Sequence, residues 1–389
     1  MKKFIIFAFT ILVLAASCAK KGLDPCSVDD FSDAPWAIDE SKAVPILLSS
    51  GDCFSVKTKA PVNTLDGVQF GVLALDASKS AKWAPEHESV ALYNKVATKG
   101  SDGYAQFIKA DGPITYYYPL VTLEENNYSF YGYRTSNELI QNNSSAFDGY
   151  FADATFKVDV AIDSVDVLWA SSSAPVLSKA GESASYNGFN TKYVRQSRIW
   201  YPGSWLTDYT PKFQFAHLTA ALHFLIVADD DYAAATFIEN GEKLVTVNNL
   251  RVDGIYRQAT LDVLAGALTP VGSKGETVIA ADPTVPTAAG HECGTGLFIL
   301  PMTSAELAAE PLKINFDLAF PNPGNDTPKT YTPENYLTLT PPAGGFVAGK
   351  SYTYRIIVKS LEKVRIQLEL IDWIEEPFSG DEDIITTLG

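Results

Sequence analysis

Positive charge is what this chain is short of. Its 389 residues hold 30 Lys and Arg against 46 Asp and Glu, for a net charge of −16. Binding nucleic acid needs basic faces that neutralise phosphate, so this balance argues against such a partner. Catalytic signatures are also missing: there is no GxSxG, no HExxH and no P-loop. The four cysteines, Cys18, Cys26, Cys53 and Cys293, show no CxxC or Cys/His ligand spacing, so a zinc site is not expected. Long apolar runs are absent after Cys18, and a membrane-spanning helix needs about 20 such residues. Methionine is scarce at two, whereas Tyr (19), Phe (21), Gly (26) and Pro (22) are plentiful, a balance tilted towards strands and turns. A chain 46% hydrophobic and 20% charged is globular rather than disordered or collagen-like. Its length exceeds what one small core serves, so two domains are the default.

The N-terminus reads as an export signal. Lys2 and Lys3 precede an apolar run from Phe4 to Ala16, too short to span a bilayer as a helix. The run ends Leu14-Ala15-Ala16-Ser17-Cys18. Small residues before a cysteine resemble the lipobox of a bacterial lipoprotein, with Cys18 as the acylated residue. The alternative is an ordinary signal cut near Ser17. Acyl chains on Cys18 would make a lipid anchor to the outer membrane without any inserted segment. Cys26, Cys53 and Cys293 allow at most one internal disulfide, and buried or free thiols are the simpler expectation.

Beyond the signal (1–17) and a polar tether (18–42), the pattern is one of strands. Ala43 to Ser50 and Cys53 to Lys57 are the first candidates. Val68 to Leu75 is apolar almost throughout, as a strand buried on both faces would be. Ile114 to Tyr118 and Tyr128 to Tyr133 are aromatic-rich strands. In Lys350 to Lys359, Tyr352, Tyr354, Ile356 and Val358 share one face. In Val364 to Trp373, Val364, Ile366, Leu368 and Leu370 do the same, as in an antiparallel sheet with one wet face. Lys212 to Val227 changes phase: Phe213 and Phe215 lie on one parity, Leu218, Leu222, Phe224 and Ile226 on the other. That predicts a bulge near His217. Ser304 to Ala309 predicts a short helix. The fold class expected is all-β, with two tandem β-sandwich domains of transthyretin-like, Greek-key type at 43–203 and 204–376. A C-terminal tail follows at 377–389.

Candidate sites are sparse. The histidines are His87, His217, His223 and His291. His217 and His223 share a face if their strand is unbroken, which admits a metal pair, but a packed or hydrogen-bonded role for each is preferred. Asp229-Asp230-Asp231 and Asp381-Glu382-Asp383 lack the calcium-loop ladder and read as solvated turns. Carboxylates are numerous, yet none are marked as a glycosidase pair. No metal, cofactor or catalytic residue is expected. The tyrosines at 116–118 and 128–133, with Trp205, would suit a surface glycan-binding lipoprotein, although strand-borne tyrosines more often serve the core.

Several segments together resemble the fimbrillin family, the pilus subunits of Bacteroidia with protease-assembled pili. Phe213 to Leu222 resembles its F-x-H-x-L-(small)-x-L segment, and Asp166-Val167-Leu168-Trp169-Ala170 its D-L-L-aromatic-Ala segment. Gly296 to Pro301 is similar to an apolar strand ending in Pro, and Tyr352 to Ile356 with Ile371-Asp372-Trp373 resembles the closing strands. The order and spacing match across most of residues 43–376. The resemblance implies a lipoprotein subunit whose first strand is removed by a protease that usually cuts after Arg. Another pilin subunit's C-terminal strand would then fill the groove. The removable strand would be Ala43 to Ser50, alone or with Cys53 to Val56. The family's Thr-Arg-Ala is here Thr58-Lys59-Ala60, so the cut is expected at Lys59, or at Lys57; no arginine precedes Arg134. Either the protease accepts Lys, or this subunit keeps its strand and ends a filament. The donor strand would lie in Phe378 to Leu388, with Ile384, Ile385 and Leu388 as its apolar residues. His217 would be structural. Asp163-Ser164-Val165 resembles an O-glycosylation acceptor, which would modify Ser164. Adhesion to a host or bacterial surface ligand is the implied service.

Overall fold

Alternating and wholly apolar segments both become strands in the structure, a computed structural model. It describes residues 42–49, 68–76, 90–101, 104–118, 128–136, 156–172, 177–178, 185–186, 189, 191, 194–195, 210–228, 246–280, 286–294, 296–322, 325–331, 337–360 and 363–371. The described chain is nearly all β, in several mostly antiparallel sheets. The strands in the first half are β1 (Gln69–Asp76), β2 (Val90–Lys99), β3 (Ala105–Lys109), β4 (Gly112–Ile114), β5 (Tyr128–Arg134), β6 (Lys157–Ala161), β7 (Leu168–Ser172), β8 (Leu177–Ser178), β9 (Ser185–Tyr186) and β10 (Ala216–His217). Those in the second are β11 (Ala220–Ala228), β12 (Thr246–Ile255), β13 (Gln258–Asp262), β14 (Ala267–Val271), β15 (Gly275–Ala280), β16 (His291–Glu292), β17 (Leu297–Ile299), β18 (Lys313–Asn322), β19 (Asn325–Tyr331), β20 (Leu337–Thr338), β21 (Ser351–Ser360) and β22 (Lys363–Ile371).

The first sheet runs β10-β7-β5-β1-β2-β3-β4, antiparallel throughout. Its centre is β1, and both faces of β1 are covered, which explains its unbroken apolar sequence. Phe70, Val72 and Ala74 enter one core with Leu92, Phe107, Phe130, Leu168, Phe213 and Phe215. Leu73 and Leu75 enter another with Tyr133, Phe156, Val158, Val160, Leu261 and Val263. That second core is roofed by a three-stranded sheet, β14-β13-β6, in which strands from the two halves of the chain pair.

A further sandwich packs β16-β11-β21-β22 against β15-β12-β18-β19, with β17 on β11 and β20 on β18. Its core takes Leu222, Phe224 and Ile226 from β11, Ile314, Phe316 and Leu318 from β18, and Tyr352, Tyr354, Ile356 and Val358 from β21, as their period-two spacing predicts. Two details differ from expectation. β21 pairs antiparallel with β22 but parallel with β11, so it is an interior strand. Its outward Thr353 and Ile357 are therefore recessed and buried rather than wet. The phase change near His217 is not a bulge within one strand. β10 ends at His217 in the first sheet and β11 starts at Ala220 in the second, so the change of parity is the chain crossing between two cores. The region near 200–205, where the sequence suggests a boundary, lies outside the described residues.

The short helix forms as expected, α1 (Ser304–Ala309). Thr303 caps it: Glu306 N–H donates to Thr303 Oγ1 (3.2 Å), and Thr303 N–H donates to Glu306 Oε2 (2.7 Å), a reciprocal box. No helix among the described residues is long and apolar enough to cross a membrane.

Candidate functional site: a groove filled by the leading segment

The segment at 44–49, expected as a strand, lies against the first core through isolated bridges at Pro45 and Ser49 rather than as a continuous strand. Val44, Ile46 and Leu48 alternate inward and are all but fully buried, joining Phe70, Phe107, Tyr118, Phe130 and Phe213. Burial of this kind stabilises by about 1.5–3 kcal/mol per side chain. The backbone is bonded as well. Ile46 N–H donates to Tyr116 O (2.8 Å), Tyr118 N–H to Val44 O (2.9 Å) and Ala105 N–H to Leu48 O (2.8 Å). Ser49 bonds the other neighbour: its N–H donates to Pro211 O (2.9 Å) and its carbonyl accepts from Phe213 N–H (3.2 Å). At the entry, Arg195 Nη2 donates to the carbonyl of Lys42 (2.6 Å). The segment thus lies with its alternate side chains in apolar pockets and its backbone bonded to neighbours on both sides.

One wall of the groove is the Phe213–Phe215 stretch. Phe70 meets Phe213 and Phe215 edge-on, at 6.5 and 5.4 Å between centroids. Both rings abut Gly132, where a Cβ would stand 2.9 Å from Phe215 Cζ and 3.0 Å from Phe213 Cε2, so a larger residue would displace them. Beyond the wall, His217 pairs with Leu168 in register, and its Nδ1 lies 2.8 Å from Asp166 Oδ1, both side chains buried. Thr219 Oγ1 also donates to Asp166 Oδ1 (3.4 Å), and Arg134 Nη1 to the Asp166 carbonyl (3.2 Å). Burial pushes the Arg134 pKa down and Asp166 opposes it. Two of the segments that resemble fimbrillins therefore meet, and His217 is part of a buried polar clasp.

Two ammonium groups converge on the flank beside Tyr116. Lys95 Nζ and Lys109 Nζ each stand 5.9 Å from the centre of its ring. Burial lowers the Lys95 pKa, and Lys109 lowers it further. Burial raises that of Tyr116. Nothing in the sequence reading singled out Lys95, Lys109 or Arg195. Lys95 reaches the inner face because Asn94 adopts a positive φ of 40° at an irregularity between β1 and β2. This sets Lys95 opposite Val72 while Leu92 lies opposite Ala74, so simple alternation misplaces it.

Of the residues expected to matter, Ser164 is exposed in a turn, and Asp163 beside it accepts bonds from Arg257 Nε (3.1 Å) and Thr277 Oγ1 (3.1 Å). Cys293 is buried in the second sandwich. His223 Nδ1 lies 3.0 Å from Glu292 Oε1 in a different sheet from His217, so the two histidines do not form a pair. Among the described residues no three His, Cys, Asp or Glu side chains are grouped to hold a metal. Tyr118, Tyr128 and Tyr133 are core residues, and Tyr117 alone of residues 116–118 is largely exposed. Cys18, Cys26, Cys53, Lys57, Lys59, Trp205, Ile384, Ile385 and Leu388 lie outside the described residues.

A family model described as fimbrillin-like matches residues 58–373. No curated protein matches the chain. Among solved structures, the chain is similar to a fimbrial protein from Bacteroides vulgatus (14% identity, TM-score 0.48, covering 85% of this chain and 99% of that one). It is similar to a candidate cell adhesion protein from Bacteroides uniformis (19%, 0.47, 85% and 98%). It also resembles the C-terminally truncated tip fimbrial protein of Porphyromonas gingivalis (10%, 0.39, 85% and 100%).

Proposed function

This chain belongs to the fimbrillin-like family, whose members are structural rather than catalytic, and on that premise we propose that it is a subunit of a cell-surface pilus assembled by strand exchange. The reading continues from the sequence: export as a lipoprotein through Cys18 to the outer membrane, a cut after Lys59 or Lys57, loss of the leading segment, and insertion of a sister pilin's C-terminal strand. In this chain the donor residues are Ile384, Ile385 and Leu388. Ser164, exposed beside a pinned Asp163, is the position for O-glycosylation. The service is adhesion to a surface ligand.

The observation that carries this reading is the leading segment itself. It puts three alternate side chains in the core and bridges its neighbours at Pro45 and Ser49, and the chain continuing from it reaches the two lysines within ten residues. Removing it would strip roughly 5–9 kcal/mol of apolar burial, an upper estimate. That is comparable with the whole stability of a domain, about 5–15 kcal/mol. An emptied groove is therefore a strong acceptor for a replacement strand. The glycan-binding reading loses Tyr118, Tyr128 and Tyr133, three of its six tyrosines, to the core, while Tyr117 stays exposed.

N-terminal sequencing of the protein recovered from native surface filaments tests this. The expected start is Thr58 or Ala60. A blocked, lipid-bearing Cys18 in filament interiors would overturn removal of the strand. In vitro, the chain cleaved at 57–59 should polymerise, and the same chain ending at Pro377 should not.

A further inference from the structure

The leading segment fills apolar pockets as a strand would, yet it forms no continuous strand, only isolated bridges at Pro45 and Ser49. Its backbone bonds show why. The Val44 carbonyl, the Ile46 N–H and the Leu48 carbonyl all point to one flank, where they meet Tyr118, Tyr116 and Ala105. In an extended chain the residues between them turn the other way. Ser49 does so: its N–H donates to Pro211 O and its carbonyl accepts from Phe213 N–H, the pattern of a parallel pair centred on Lys212. One step back along that ladder, the N–H of residue 211 would reach the carbonyl of Leu47. Residue 211 is proline and has no N–H. A further step back calls on the N–H of residue 45, which is proline as well.

The ring also fixes φ near about −65°, whereas regular strands lie near about −120° to −140°. Pro45 therefore interrupts the strand at the residue that bridges Tyr117. Within sheets proline is normally kept to edges, first residues and bulges. Here it stands in a segment with neighbours on both flanks. The hold is thus uneven: pockets and one flank are engaged, and the other flank lacks a donor on each side of the ladder. The C-terminal tail differs in this respect, since residues 378–389 contain no proline.

We propose that Pro45, with Pro211 facing the same flank, makes the leading segment a displaceable plug, which once cut gives way to a proline-free strand from a second copy of this chain. The inference rests on the strand-exchange reading above and adds what gives the exchange its direction. A strand with an N–H at the position of Pro45 can fill the same pockets and brings one more donor to the incomplete flank. Pro211 stays in the groove whichever strand is bound, so it loosens both. Pro45 loosens the plug alone.

The test uses the full chain with a specific protease sequence at 57–59, cleaved so that the leading segment stays seated without a covalent link. Fluorescent peptides of residues 41–52 are exchanged into the groove, then chased with excess unlabelled native peptide while anisotropy follows their release. One peptide is native, a second carries Pro45→Val, and a third has N-methylvaline at position 45, which keeps the valine side chain without an N–H. The Pro45→Val peptide should leave on the order of threefold to tenfold more slowly than the native one, the worth of one net backbone hydrogen bond. The N-methylated peptide should leave as fast as the native one. On a chain carrying Pro211→Val all three should be held longer, because the new N–H reaches the Leu47 carbonyl. Equal release of the native and Pro45→Val peptides would overturn the proposal. Slow release of the N-methylated peptide would overturn it too, by assigning the effect to the side chain. So would failure of the native peptide to enter the cleaved chain, since a segment that never leaves is not a plug. If the valine effect holds but a peptide of residues 378–389 never displaces the native segment, the exchange reading falls while the incomplete ladder stands.

Discussion

Asp166 and His217 stand 51 residues apart in sequence and 2.8 Å apart in the fold. Asp166 is the hub of that clasp: one carboxylate oxygen serves His217 and Thr219, and its carbonyl serves Arg134. Asp166→Ala would leave a buried imidazole and hydroxyl without that acceptor. A loss of about 1–3 kcal/mol is expected by urea unfolding, since an orphaned buried donor carries its full desolvation cost. Asp166→Asn keeps an oxygen for the imidazole N–H and should recover more than half of that loss. Equal losses for Ala and Asn would mean that charge, not hydrogen bonding, holds the clasp. At this scale the sequence was partly legible. Both motifs stood out, and His217 could be read as structural, but its partner is found only when β7 and β10 pair. Lys95 was not legible at all, because the irregularity at Asn94 breaks the alternation that would place it.

Among elements, the leading segment is the one on which the proposed assembly turns. Alternation in Ala43 to Ser50 marks a strand, and the structure places its three inward residues in the first core. What the pattern could not say is which neighbours the strand takes. Those are 104–105, 116–118 and 211–213, three stretches distant in sequence, and their choice depends on global topology. The same limit explains the phase change at 213–226. Period alone sees one strand with a defect, whereas the chain is leaving one core for another. Leu48→Ala should destabilise the uncut chain by about 2–5 kcal/mol, the range for a buried Leu reduced to Ala. Once the chain has been cut and a donor strand has replaced the segment, the same substitution should have no effect on filament melting. A filament of the variant that melts lower than that of the unmodified chain would show that residue 48 remains in the groove. Such a result would speak against removal.

At the scale of the whole molecule, the first sheet and the other sandwich share material. β12 is a core strand of the second sandwich, and two residues later the chain enters β13, which pairs with β6 over the back of the first sheet. Leu261 and Val263 sit there with Leu73, Tyr133 and Phe156, and Trp169 Nε1 donates to the Val263 carbonyl (2.7 Å). Gly266, at φ +64°, lies against the Trp169 ring, where a Cβ would come within 2.6 Å, so only glycine allows this approach. The first sheet is joined to central strands of the other sandwich both by this pairing of β13 with β6 and by the β10–β11 crossing. These links should therefore make the two cores unfold together. Calorimetry of the full chain is expected to show one transition. Leu261→Ala, by opening a cavity worth about 2–5 kcal/mol at the shared core, should separate it into two, the lower one belonging to the first sheet. A single transition that merely shifts down would mean that the cores are coupled elsewhere. The four-residue contact of Ile162, Ala221, Ala259 and Phe298 would then be the place to substitute next, since it also joins the two halves.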